Sequence, residues 1–275
     1  MKNLWKSIGK AALYFLVYFL MQAAVSGVYS VMITTKLTVE MMGADGSIDM
    51  ELLTAKVMDV VMPQAMTLTL ISSILTLLIL GLVFLIRKKN FLEETSIRSM
   101  PVSGIVPVAL AAVGFNVVVS KLLQIIPFPE SWIESYQQNS SMIGAGNMAV
   151  AWIATVIVAP ILEEIVFRGL IYTRLKQGMA AVAAAVIASL LFALSHGTIV
   201  WGIYTFLLSM ILIWTFERFQ SLTANICFHF FFNLTGMVLS SIGEMSNVVE
   251  WVMFAVAVVA FVGGMVLIHK KTISE

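Results

Sequence analysis

Residues 148–175, MAVAWIATVIVAPILEEIVFRGLIYTRL, decide how this chain is read. The stretch is long enough to cross a bilayer, which takes roughly 20 apolar residues. It nevertheless carries Glu163, Glu164 and Arg168 in its interior. An Asp, Lys or Arg at the centre of a spanning helix costs about 2.5–3.5 kcal/mol on insertion scales, so charges kept there need a reason. Working outward, further apolar runs occupy about 11–33, 65–86, 103–126, 180–197, 199–216, 221–241 and 250–268. The expected fold is all-α, a polytopic membrane protein of about eight transmembrane helices.

Composition agrees. Of 275 residues 60% are hydrophobic and 11% charged, whereas a soluble domain carries about 25% charged residues. That excludes an ordinary soluble globule and any disordered or collagen-like class. A net charge of +1 without basic clusters removes the electrostatic footprint of a nucleic-acid partner. The single cysteine, Cys227, excludes an intrachain disulfide and a multi-cysteine zinc site.

Orientation follows from Lys and Arg between the spans. With the N-terminus cytoplasmic, the inner segments collect Lys2, Lys6, Lys10, Arg87, Lys88, Lys89, Arg98, Arg168, Arg174, Lys176, Arg218, Lys270 and Lys271, and the outer side keeps Lys36, Lys56 and Lys121. Thirteen against three is a strong positive-inside bias and favours an even number of spans. Both termini are expected in the cytoplasm, most simply of a prokaryotic plasma membrane. The first run is uncharged from Ala11 to Thr35, longer than the ~7–15 apolar residues of a signal peptide, so it reads as a retained span. Residues 36–63 read as a polar outer connection holding Asp45, Asp49 and Asp59, and 127–147 as a second, Ser/Asn/Gln-rich outer loop with an Asn139-Ser140-Ser141 sequon. Three regions result: 1–147 with about three spans, a core at 148–241, and a last helix with a cytoplasmic tail at 242–275.

The first three spans avoid ionisable groups except Lys121, expected to snorkel from an outer end. The later ones carry Glu163, Glu164 and Arg168, then His196, then His229 and Asn233. One such residue would read as glue between helices; three helices contributing together point to a site. Glu164 and Arg168 stand four apart, acid first, the favourable order for a helical pair. Glu163 is turned about 100° away and lacks that partner. Phe192 and His196, and again His229 and Asn233, share helix faces at the same spacing. Pro160 loosens the backbone ladder just before the glutamates. Counted from the turn near Lys176, Glu163 and Phe192 both lie at ~21 Å, and His229 and Asn233 rise ~13 and ~20 Å from the turn near Gln220. These groups can share one layer.

Such a cluster supports hydrolysis in two ways. A buried glutamate beside a histidine can activate water, while a second histidine and an asparagine donate to the oxyanion. Alternatively, Glu163, His196 and His229 supply the His₂Glu ligands of a catalytic zinc. Glu163-Glu164-x-x-x-Arg168, Phe192-x-x-x-His196 and His229-x-x-x-Asn233 resemble the three-motif signature of the CPBP family. These are intramembrane proteases that include CAAX prenyl proteases and bacteriocin-processing or self-immunity (Abi-like) proteins. The resemblance covers roughly residues 148–240. It implies an intramembrane polar cavity, open to the cytoplasm or to lipid. It implies Glu163 as the essential carboxylate, His196 positioning the water, and His229 and Asn233 as oxyanion donors. Glu164, Phe192 and Arg168 would support the motifs, Arg168 steering a substrate carboxylate. Expected partners are membrane lipids and a peptide or protein substrate of prenylated-CAAX, pheromone or bacteriocin type.

Rival readings fit less well. There is no HExxH, and no aspartate follows Asp59, so neither a site-2-type metalloprotease nor an aspartyl pair is available. Ser195 and Ser209 lack a G-x-S-x-G-like turn, and Cys227 and His269 read as packing and interface residues. A transporter would place polar groups in both halves, and a non-enzymatic scaffold or immunity protein would have lost motif residues.

Overall fold

The computed structural model describes residues 2–43 and 46–271. Asp45 and the tail 272–275 lie outside the described residues, as do the side chains of Lys2 and Lys271. The described chain is helical, without a strand. Seven helices among the described residues are long and apolar enough to cross a membrane. In order the elements are α1 (Lys2–Met41), α2 (Met50–Val61), α3 (Ala65–Ile86), α4 (Phe91–Glu94), α5 (Ile105–Ile125) and α6 (Glu130–Gly144). They continue with α7 (Met148–Lys176), α8 (Ala181–Leu194), α9 (Ile199–Phe219), α10 (Leu222–Ile242) and α11 (Asn247–Lys271).

Several expectations change. The stretch 36–63 is mostly helix: α1 runs on to Met41, and α2 starts where the Asp49 side chain accepts from the Leu52 amide. A 3₁₀ turn at Met62–Gln64, with Pro63 early in it, joins α2 to α3 as one long span. The second outer loop is also a helix, α6, entered after Pro129. The fifth expected span is the short α8 of 14 residues, ~21 Å long. Lys121 does not snorkel. It is buried, bonds Glu250 at 2.5 Å and lies 5.0 Å from the Trp251 ring, tying α5 to α11. Glu217 is on α9 and accepts from Tyr172 at 2.9 Å and from Lys176 at 2.7 Å.

Two packed groups share α9 and α10. In one, α1, α3, α7 and α8 meet around Tyr14, Tyr18, Phe84, Phe167 and Phe192. In the other, α5, α9, α10 and α11 meet around Phe115, Leu212, Phe228 and Phe232. Without a hydrophobic drive between helices in lipid, close backbone approach by small residues holds such pairs. A Cβ on Gly114 would sit 2.5 Å from the Phe261 nitrogen, and one on Gly264 2.6 Å from the Ala111 nitrogen. Outward faces present exposed residues such as Leu78, Leu85, Val256 and Val259, as helices bathed in lipid require.

Candidate active site

The site forms where α7, the end of α8, and α10 converge. In α7 the backbone changes register twice. Pro160 lacks an amide proton, and the helix is π-type over Ile153–Val158 before it and Glu164–Tyr172 after it. π segments are rare and cluster at functional sites. Here they bring two adjacent glutamates to one histidine.

Glu164 is fully enclosed and triply engaged. Its Oε1 accepts from Arg168 Nη1 at 2.7 Å and from His229 Nδ1 at 2.8 Å, and its Oε2 accepts from Asn225 Nδ2 at 3.1 Å. Glu163 is left with the other side of the same ring: its Oε2 lies 3.7 Å from His229 Nε2. The Glu163 side chain is 14% exposed, against 0% for Glu164 and 3% for His229, so it is the carboxylate that a water can reach. Because an ionised carboxylate only accepts, His229 donates Nδ1–H to Glu164, and its Nε2 faces Glu163.

His196 does not share a helix face with Phe192. Helix α8 stops at Leu194, and His196 sits in the turn that Gly197 allows with φ +80°. Its Nδ1 reaches back to the Phe192 carbonyl at 2.7 Å, one of the orphan carbonyls at a helix C-terminus. A carbonyl cannot donate, so Nδ1 carries the proton and the neutral ring presents Nε2 as an acceptor. Phe192 stands between the polar groups. Its ring is 4.4 Å from the Arg168 guanidinium carbon, 4.6 Å from the His196 ring and 6.0 Å from that of His229. Arg168 keeps Nε and Nη2 without a protein partner.

Asn233, one turn beyond His229 on α10, donates Nδ2–H to the Thr155 carbonyl at 2.8 Å, inside the first π segment. One of its two amide hydrogens is thereby used. Asn225 was not singled out from the sequence. Asn225 also donates to the Leu212 carbonyl at 2.8 Å. It lies four residues before His229 and completes the ladder 225, 229, 233, a repeat that could have revealed it.

Among the described residues no group of three or more His, Cys, Asp or Glu is arranged to hold a metal ion. A cavity of about 280 Å³ is lined by Ser96, Tyr172, Thr173, Lys176, Glu217 and Gln220 at the basic end of the bundle. Its lining includes neither Glu163 nor Glu164.

Residues 145–235 match the family described as type II CAAX prenyl endopeptidase, Rce1-like. This stretch is similar to the Rce1-like family. The finding agrees with the CPBP resemblance of the motifs, and it implies a protease embedded in a membrane. The Rce1-like stretch contains Glu163, Glu164, Arg168, Phe192, His196, Asn225, His229 and Asn233. No curated protein and no solved structure matches the chain.

Proposed function

We propose that this protein is an intramembrane endopeptidase in which Glu163 activates water against a peptide bond of a membrane-associated peptide. The observation that carries the reading is the division of labour between adjacent carboxylates. Glu164 is consumed by Arg168, His229 and Asn225, whereas Glu163 is partly open and faces His229 Nε2. Two carboxylates stand against one guanidinium, so one further proton, on Glu163 or His229, makes the cluster neutral. Neutrality matters where the dielectric is low.

In the reaction, Glu163 takes a proton from water as the oxygen bonds to the scissile carbonyl carbon. His196 Nε2 accepts the second water hydrogen and fixes the attack direction. His229, when its Nε2 is protonated, and the free N–H of Asn233 donate to the oxyanion. Collapse breaks the C–N bond, and Glu163 returns its proton to the leaving amine. A prenylated CAAX tail or a pheromone- or bacteriocin-like peptide is the substrate class, with both termini of the enzyme in the cytoplasm.

The test compares the membrane peptidomes of cells carrying the wild type or Glu163→Ala at matched expression. Peptides appearing only with the wild type are expected, and their ends give the cleavage sequence. Coincident profiles from two inserted, folded proteins would refute the reading.

A further inference from the structure

Asn225 belongs to none of the three motifs, yet it is fully enclosed beside the glutamates. It sits in the first turn of α10, four residues before His229, so the two side chains share one helix face. Its Nδ2 donates to Glu164 Oε2 on α7 at 3.1 Å and to the Leu212 carbonyl on α9 at 2.8 Å. Both partners only accept, which fixes the way round the amide stands. The nitrogen spends its two hydrogens, and Oδ1 is left without a protein partner. One amide therefore joins three helices at the level of Glu164.

Arg168 shows what this amide prevents. A guanidinium and a carboxylate favour a bidentate pairing, with two parallel N–H···O bonds. Here Glu164 takes Nη1 alone, at 2.7 Å, while Nε and Nη2 of the same guanidinium have no protein partner. The second carboxylate oxygen is with Asn225 instead, and Oε1 also accepts from His229 Nδ1 at 2.8 Å. Asn225 and His229, one turn apart, thus hold the two oxygens of one carboxylate from a single helix. Held at both oxygens, the carboxylate does not swing into the arginine fork. With Oε2 released, the unused N–H groups of Arg168 would draw the carboxylate round and away from the histidine.

We infer that Asn225 is a positioning residue for the reaction, keeping Glu164 turned towards His229 and out of the Arg168 fork. The inference rests on the protease reading above. The hydrogen bond made by one ring nitrogen of a histidine decides which nitrogen carries the proton. With Glu164 held at Nδ1, that nitrogen is protonated and Nε2 is kept for Glu163, 3.7 Å away. Without that acceptor the neutral ring can carry its proton on Nε2. There it would occupy the Glu163 carboxylate, the group that must take a proton from water. A misplacement of about 1 Å in such an arrangement can cost a hundredfold in rate.

The first readout needs no substrate. The full-length protein, isotope-labelled at histidine, is placed in liposomes near neutral pH and read by nitrogen NMR. The His229 resonances are those missing from His229→Gln. In the wild type Nδ1 is expected to carry a proton. In Asn225→Leu, close in volume and without polar side-chain atoms, the Nε2–H tautomer is expected to appear. Asn116→Leu removes another buried asparagine that pins α10, by a bond from α5 to the Phe232 carbonyl at 2.9 Å. It is expected to leave the His229 spectrum as in the wild type.

The second readout uses a labelled peptide that the wild type cleaves and Glu163→Ala spares. The kcat of Asn225→Leu is expected to fall roughly ten- to hundredfold, with KM within about twofold of wild type. Asn225→Ala, which cannot overpack, is expected to behave alike. An unprotonated Nδ1 in the wild type overturns the inference before any variant is made. So does wild-type kcat in either Asn225 variant, or the same spectral change in Asn116→Leu. If no peptide separates the wild type from Glu163→Ala, the protease reading falls and the positioning role with it, whatever the spectrum shows.

Discussion

In the proposed mechanism two neighbouring glutamates do opposite work, and their surroundings set the difference: Glu164 is fully enclosed and Glu163 partly open. Glu164 and Arg168 are both fully buried and 2.7 Å apart. Removing one member of such a pair leaves an uncompensated buried charge, at about 3–5 kcal/mol. Glu164→Gln is therefore expected to lower the yield and the detergent melting temperature, whereas Glu163→Gln should melt like wild type and fail to cleave. Equal melting of the two variants would contradict the assignment of roles. The pairing of Glu164 with Arg168 was legible from their spacing, and so was the isolation of Glu163. The attachment of Glu164 to His229 and Asn225 was not. It spans more than 60 positions of sequence and depends on the π register, which spacing counted at 3.6 residues per turn does not contain.

Among elements, the long apolar runs were legible because hydrophobic length is itself the signal. The polar connections were misread for the complementary reason. Residues 127–147 are rich in Ser, Asn and Gln and look like a loop, although Pro129 and Gly144 mark the start and end of α6 as a helix grammar would have it. The expected span ran to Gly197, whose positive φ belongs to a turn, whereas α8 ends at Leu194. Helix α7 also depends on a close approach that composition cannot display. A Cβ on Gly169 would lie 2.8 Å from the Thr95 carbonyl oxygen, and Thr95 is buried at the end of α4. The obstacle is backbone, so it yields only by moving the segment. Gly169→Ala is expected to cost about 1–3 kcal/mol, as overpacking does. It should appear as a lower melting temperature with the wild-type KM in whatever fraction stays folded. A variant that melts at or above the wild-type temperature would show that α4 is not pinned there.

At the scale of the whole molecule, parity ties the fold to its orientation. Helix α8 has 14 residues, ~21 Å against a hydrocarbon core of ~30 Å, whereas α9 has 21 residues and follows after a short turn. The pair forms a hairpin, so the ends near Gln177 and Gln220 must emerge on one side however deep the short arm reaches. Irregular backbone such as the His196–Thr198 turn is tolerated at membrane depth only when protein covers it, and Tyr136 of α6 packs edge-on over Trp201 at 6.2 Å at that end. The thirteen-to-three charge count requires the hairpin, because a single pass in its place would move Arg218 across the membrane. Single cysteines in a Cys227→Ala background test this with a membrane-impermeant maleimide. At Lys89, Gln177 and Gln220, all exposed, labelling is expected only after the cytoplasmic side is opened. At Gln138 and Glu244, also exposed, it is expected in intact cells. Gln177 and Gln220 labelling from opposite sides would break the hairpin, and with it the expected orientation.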